Sequence, residues 1–157
     1  STPRAAGLGA FLTQWTCVAV DPGLRSEWVG EEPQGVHRLS GLRSKVEDVS
    51  VDSWKSVNAF AIRSIGAPEA LVLVAIHSHH RFLGAASIPS LRSRLGAENK
   101  PICLVSIPCC FPFRDVEDLG RRPDVCFDDW AILSDKREVR MWFWDADVAV
   151  TSVTNKS

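Results

Sequence analysis

The stretch ALVLVAI, at residues 70–76, is an unbroken apolar run between a charged residue and a histidine-rich segment. Two runs of the same kind, TCVAV at 16–20 and ICLVSI at 102–107, stand before and after it in the chain. Apolar runs that do not alternate with polar residues are typical of strands buried on both faces of a parallel sheet. The three runs predict three such strands, and a weaker strand candidate lies at 36–39.

Helical patterns separate these runs. Apolar residues recur at helical spacing over 52–65, and a glycine and a proline then end the pattern. A second helix is predicted over 82–95, with an interruption at Pro89. Strands that alternate with helices predict an α/β fold, in which a mostly parallel sheet is flanked by helices on both faces.

The C-terminal part has a different pattern. Segments 130–133 and 139–145 have strand-like composition, and a charged turn separates them. In the second segment, apolar residues alternate with arginine and tryptophan. This alternation predicts a C-terminal antiparallel hairpin that closes one edge of the sheet.

Length and charge limit the class of protein. The chain has 157 residues, 45% of them hydrophobic, and a net charge of −1. We expect a single domain over 1–150 followed by a tail at 151–157. No apolar run is long enough for a membrane span, and a strongly basic nucleic-acid coat is excluded.

The cysteine pattern indicates an intracellular protein. The count of cysteines is odd, and most of them lie in or beside apolar runs: Cys17, Cys103, Cys109, Cys110 and Cys126. A secreted disulfide scaffold typically has an even number spaced through polar loops. We therefore expect reduced thiols, in the cytoplasm or the mitochondrion.

Acidic residues follow the first two strand candidates. Because ligands of open α/β sheets bind at the carboxyl ends of the strands, Asp21 is a candidate acceptor for both hydroxyls of a ribose. Gly7 and Gly9 precede it as a remnant of a glycine-rich turn, or simply as part of a flexible terminal segment. Glu47 and Asp48 are candidates for contact with an adenine amino group, or form a solvated charge run before a helix.

Histidines and cysteines follow the next two strands. His77, His79 and His80 come after the run at 70–76, and Cys109 and Cys110 come after the run at 102–107. We expect His77 to give orienting hydrogen bonds, with His79 and His80 exposed. One cysteine faces the pocket while the other packs, or both are simply buried small residues. A zinc site and a nucleophilic cysteine are weaker alternatives, and we expect no metal.

These strand ends resemble a group of S-adenosylmethionine-dependent methyltransferases that includes tRNA ribose methyltransferases. In that group one strand ends in histidine followed by a small residue, cysteine and glycine, and the next ends in Pro-Cys-Cys; here the matches are His77 and 108–110. The resemblance covers about 16–145. It implies a Rossmann-like methyltransferase sheet, with S-adenosylmethionine as cofactor and His77 and Cys109 as catalytic residues.

The resemblance also assigns cofactor contacts. Asp21 would hold the ribose, Glu47 or Asp48 would lie near the adenine, and Gly7 and Gly9 would lie near the methionine portion. Two departures weaken the match: Ser-His-His follows the strand histidine, and no first strand precedes the glycines. We expect that strand to be missing from this sequence.

Two functions follow. One is methyl transfer to RNA or to an RNA-associated protein. The other is a catalytically inactive structural subunit of a ribonucleoprotein or mitochondrial assembly, which binds protein partners through the Trp- and Arg-rich hairpin around Arg140, Trp142 and Trp144. The alternative for these tryptophans is core packing under the hairpin. A RuvC-type nuclease with Asp21 as metal ligand is a third reading, disfavoured because histidine and cysteine are poor ligands for hard cations.

Overall fold

The computed structural model describes residues 1–57, 69–76, 82, 87–107, 119–132 and 137–146. The chain divides into two compact units. Unit 1 comprises Ser1–Pro68 with Arg94–Gly96, and unit 2 comprises Glu69–Ser93 with Ala97–Ser157. A single domain over 1–150 with a tail at 151–157 stays a prediction.

Unit 1 contains a small mixed sheet and two described helices. In chain order its elements are α1 (Arg4–Leu12), β1 (Cys17–Val20), β2 (Gly30–Glu31), β3 (Leu39–Leu42) and α2 (Val51–Val57). The strand order is β1-β3-β2, with β1 parallel and β2 antiparallel to β3. The buried Ser40 hydroxyl donates a hydrogen bond to the Val57 carbonyl at 2.5 Å, which fastens the end of α2 to β3.

Helix α1 packs closely on this sheet. A Cβ atom at Gly9 would lie 3.1 Å from the Cys17 sulfur, so the glycine allows the helix to approach β1. The Arg38 Nη2 donates to the carbonyls of Ala10 and Thr13 at 3.0 and 3.1 Å. Because the last carbonyls of a helix have no partner within the helix, Arg38 caps the C-terminus of α1.

Unit 2 contains a second, four-stranded sheet. Its elements are β4 (Leu71–Ile76), α3 (Ile88–Arg94, whose last residue belongs to unit 1), β5 (Ile102–Ile107), β6 (Val125–Asp128) and β7 (Glu138–Trp144). The strand order is β4-β5-β7-β6. Strand β4 is parallel to β5, and β7 is antiparallel to both of its neighbours.

The predicted Rossmann-like methyltransferase sheet, mostly parallel and flanked by helices, is wrong. The described strands form two small sheets of three and four strands, both with mixed pairing, and the described residues hold three α-helices. The three apolar runs do form strands β1, β4 and β5. Their composition indicates where strands lie, but pairing depends on residues far away in the chain, which the runs do not encode.

The boundaries of the other elements also differ from the predictions. The strand expected at 36–39 is β3, which lies at Leu39–Leu42. Helix α2 is described only to Val57, and the rest of the segment predicted to be helical lies outside the described residues. Helix α3 begins at Ile88, so Pro89 lies in its first turn. Proline is tolerated there because the first N–H groups of a helix have no partner within it.

The C-terminal hairpin predicted from 130–133 and 139–145 is wrong in its first strand: β7 pairs antiparallel with β6, which is Val125–Asp128. The Ala131 N–H donates to Asp129 Oδ1 at 2.9 Å, and the Ile132 N–H donates to the Asp129 carbonyl at 3.0 Å. This aspartate-centred turn ends the strand before Trp130.

Candidate functional site

Asp21 lies directly after β1, at the carboxyl end of two parallel strands. Its Oδ1 accepts a hydrogen bond from the Gly23 N–H at 2.6 Å, and its Oδ2 accepts one from the Ser1 hydroxyl at 2.5 Å. The Ser1 hydrogen bond first, and then the Gly23 N–H, hold the pKa of this carboxyl below its ordinary value. One carboxylate oxygen therefore holds the turn that follows β1, and the other ties that turn to Ser1.

The surface beside Asp21 is an open depression. It is lined by Pro22, Gly23, Leu24, Arg25, Ser26, Glu27 and Arg43. The Arg43 Nε donates to the Leu24 carbonyl at 2.6 Å, and the Arg25 Nη2 donates to the Thr2 hydroxyl at 2.9 Å. The Arg43 guanidinium thus holds the loop that lines the depression, and the Arg25 guanidinium ties this loop to Thr2. The depression is shallow and open to solvent, unlike the enclosed pockets that bind small molecules.

Gly7 and Gly9 do not form a turn, because both lie inside helix α1. Gly9 faces the Cys17 sulfur, and a Cβ at Gly7 would meet only the Leu39 side chain, at 4.0 Å. Gly9 therefore serves helix packing, and Gly7 leaves room for a side chain. Neither the glycine-rich turn nor the flexible terminal segment expected from the sequence is found.

Glu47 and Asp48 lie in a 3-10 turn, Val46–Asp48. The Arg94 guanidinium donates to the carbonyls of Glu47 and Val49 at 2.8 and 2.5 Å. These backbone contacts fix the turn. Glu47 is half-buried and Asp48 is exposed, and they belong to the same unit as Asp21.

His77 and Cys109 lie outside the described residues, as do the other histidines and cysteines of those two segments. Their catalytic roles therefore stay predictions. Within the described ranges, no group of three or more His, Cys, Asp or Glu side chains is placed to hold a metal ion.

The described residues do not fit S-adenosylmethionine in the way that the resemblance implies. The glycines expected near its methionine portion are helical. The carboxylate expected to hold its ribose accepts two hydrogen bonds from the protein itself.

The tryptophans of the hairpin have different environments. Trp142 is only 2% exposed, and its Nε1 donates to the Arg121 carbonyl at 3.3 Å. Trp144 is half-buried under the Arg121 guanidinium, which lies 4.8 Å from the ring centroid. Strand β7 is also an inner strand of the sheet. Trp142 is therefore a core residue and does not form the docking edge expected from the sequence.

Trp130 is the exposed tryptophan of this region, and the sequence did not single it out. It is 73% exposed, with the Arg137 guanidinium 4.2 Å from its ring centroid. A cation over the face of an aromatic ring is an attractive contact, and it orders this side chain on the surface.

One side of the unit 2 sheet is entirely apolar, and we call it the open face. Paired residues of neighbouring strands project from the same side of a sheet. The register places on this side Val72, Val74, Ile76, Cys103, Val105, Ile107, Val125, Phe127, Val139, Met141 and Phe143. Val74 is 56%, Phe143 47% and Phe127 46% exposed.

The opposite side of the same sheet is buried at its two central strands, where Ile102, Leu104, Ser106 and Trp142 are all at most 3% exposed. Burial of β4 on both faces, as expected from its unbroken apolar sequence, is wrong, because β4 alternates half-buried and exposed residues. Strand β5 alternates buried and half-buried residues. An unbroken run shows that both faces are apolar, but not that both are covered.

Helix α1 carries a second apolar surface, in unit 1. Leu8, Phe11, Leu12 and Trp15 are all more than half exposed. The spacing of Leu8, Phe11 and Leu12 places them along one side of the helix, and Trp15 follows its end. This side is distinct from the one that Gly9 and Ala10 turn to the sheet.

Comparison with known proteins adds no family. No family model matches the chain, and neither the curated proteins nor the solved structures include a significant match. Among the described helices, none is both long and apolar enough to cross a membrane.

Proposed function

We propose that this chain is a structural subunit of a larger assembly, of the ribonucleoprotein or mitochondrial kind, and that it binds protein partners through apolar surface. The observation that carries the proposal is the open face, on which four strands present only apolar side chains.

Exposed apolar area of this kind is unusual in a monomer. Single apolar side chains on a surface are ordinary, but contiguous patches of several hundred Å² typically mark interaction sites. The open face holds six side chains that are each more than a third exposed: Val72, Val74, Ile76, Val125, Phe127 and Phe143. Leaving them in water forgoes a favourable free energy that a partner would recover by covering them.

Methyl transfer from S-adenosylmethionine to RNA or to an RNA-associated protein is the second candidate. It is favoured by the position of Asp21, an ionised acceptor at the carboxyl end of β1. The hydrogen bonds that Asp21 already accepts make this candidate the weaker one.

One pair of measurements separates the two functions. We expect the chain, tagged and expressed at its natural level, to elute from size exclusion well above its own 17.3 kDa after nuclease treatment. We also expect no change in its melting temperature with millimolar S-adenosylmethionine. A monomer that cofactor stabilises by several degrees would refute the structural role and support the enzyme.

A further inference from the structure

We propose that Ser26 is a phosphorylation site, and that its phosphate is bound by the guanidinium groups of Arg25 and Arg43. All three residues belong to unit 1 and line the open depression beside Asp21. The proposal concerns a covalent modification of the chain, and it does not depend on the structural role proposed above.

Ser26 is accessible, and its side chain has no other use. The residue is exposed and begins a 3-10 turn, Ser26–Trp28, that has no side-chain cap. Its carbonyl accepts a hydrogen bond from the Val29 N–H at 3.2 Å, but its hydroxyl makes none to the part of the chain that the structure describes. By contrast, the hydroxyls of Ser40 and Ser56 each donate to a backbone carbonyl. A short uncapped turn opens easily, as a kinase requires of its substrate segment.

Two arginines line the same depression as Ser26. Arg43 follows strand β3, and its Nε donates to the Leu24 carbonyl at 2.6 Å. Both of its terminal nitrogens are without a partner among the described residues, and Arg43 shares a second depression with Ser26. The Nη1 of Arg25 lies 3.5 Å from the Glu27 carboxylate, in an exposed ion pair. Because exposed ion pairs are weak, Glu27 competes little for Arg25.

A phosphate group suits this depression in charge and in geometry. A phosphoserine carries a charge of about −1.5 to −2 at pH 7, and a guanidinium group donates two parallel hydrogen bonds to phosphate oxygens. The depression, of about 440 Å³, leaves room for the group. Its openness is no obstacle, because a phosphate tethered to the chain needs no enclosing pocket to stay in place.

The phosphate would add a link between the turn and the sheet. Leu24, which precedes the turn, is buried, and the Trp28 carbonyl lies so close to β3 that a Cβ at Gly41 would be 1.7 Å from its oxygen. Ser26 lies between these two anchored residues, and Arg43 lies just beyond the end of β3. A phosphate bound by Arg43 therefore holds the exposed middle of the turn, and we expect it to stabilise unit 1.

The modification is a phosphoryl transfer from ATP. The Ser26 Oγ forms a bond to the γ-phosphorus as the bond between that phosphorus and the ADP oxygen breaks. The hydroxyl proton passes to the base of the kinase, and ADP leaves. The reaction needs no oxidant or reductant.

The first test asks whether the modification occurs. The full chain is isolated from the cells that express it, in the presence of phosphatase inhibitors, and its peptides are analysed by mass spectrometry. We expect phosphate on Ser26, and we expect phosphatase treatment to remove it. Peptides that contain Ser26 but carry no phosphate would refute the proposal.

The second test asks whether the arginines bind the phosphate. Phosphoserine is incorporated at position 26 of the full chain, and we expect the melting temperature to rise by about 4 °C. With Arg43→Met, the same phosphoserine should give less than about half of this rise, because the two groups are coupled. Phosphoserine at position 56, an exposed serine of α2, is the control and should give no rise.

The pH dependence separates a bound phosphate from a substituent that is merely bulky. Because a phosphoserine loses its second proton at about pH 6, the rise should be larger at pH 7.5 than at pH 5. Arg25→Met repeats the comparison if Arg43→Met does not fold. No rise at position 26, or the same rise with and without the arginine, would overturn the assignment of this depression as the phosphate site.

Discussion

Gly41 shows how one residue can depend on a distant part of the chain. A Cβ atom at this position would lie 1.7 Å from the Trp28 carbonyl oxygen, so no side chain fits without a backbone shift. Strand β3 pairs here with Gly30 of β2, which has a positive φ of 105°. The two glycines allow the chain to fold back tightly on β3.

We predict that Gly41→Ala destabilises unit 1 by about 2–3 kcal/mol, since the new methyl group overpacks against backbone. Gly7→Ala is the control, because a Cβ there makes only an ordinary contact in a helix interior. It should stabilise the protein by about 0.5–1 kcal/mol. Urea unfolding of both variants measures the difference, and equal effects would contradict the packing assigned to Gly41.

Asp21 predicts a pH dependence. Its pKa in the folded chain is lowered, chiefly by the Ser1 hydroxyl and then by the Gly23 N–H. Its ionised form therefore contributes stability above the ordinary aspartate pKa, and this contribution is lost as the pH falls through the lowered pKa.

We expect Asp21→Asn to be less stable than the natural chain at pH 7, by under about 1 kcal/mol for so accessible a group. The gap should close below about pH 4. Unfolding curves from pH 3 to pH 7 test this, and a gap that widens on acidification would contradict it. Asp48→Asn, at an exposed position, is the control.

At the scale of elements, the capping of α1 depends on a single arginine. Arg38 has a positive φ of 62°, and its guanidinium reaches two carbonyls at the end of the helix. The helix is only nine residues long, so its stability depends on such tertiary contacts.

We predict that Arg38→Met, which keeps most of the side-chain volume, costs about 1.5–3 kcal/mol through the lost charge-assisted hydrogen bonds. Arg4→Met, at an exposed position in the same helix, should change stability by less than about 0.5 kcal/mol. Thermal unfolding compares the two, and a similar loss for both would show that Arg38 is not a cap.

The sequence predicted several elements correctly and the architecture incorrectly. The apolar runs located β1, β4 and β5 correctly, because a strand that packs in a core must itself be rich in apolar residues. Composition did not reveal that the strands divide between two sheets, nor that Asp21 would accept hydrogen bonds from its own turn and from Ser1. Gly41 carried no local signal at all, because its requirement comes from Trp28.

At the scale of the whole molecule, each unit has its own small sheet, and both expose apolar surface. In unit 2, Leu104 on one side of the sheet is completely buried, and Val74 on the other side is 56% exposed. The candidate function therefore lies in the uncovered side of a sheet and not in a cleft.

The open face also has a consequence for the amount of this protein in a cell. Under the proposed structural role, a copy made in excess of its partner would present six exposed apolar side chains, the kind of surface that chaperones retain and that leads to aggregation. Under the same proposal, proteolysis of such copies would match the level of the chain to that of its partner, and production in a foreign host would depend on co-expression.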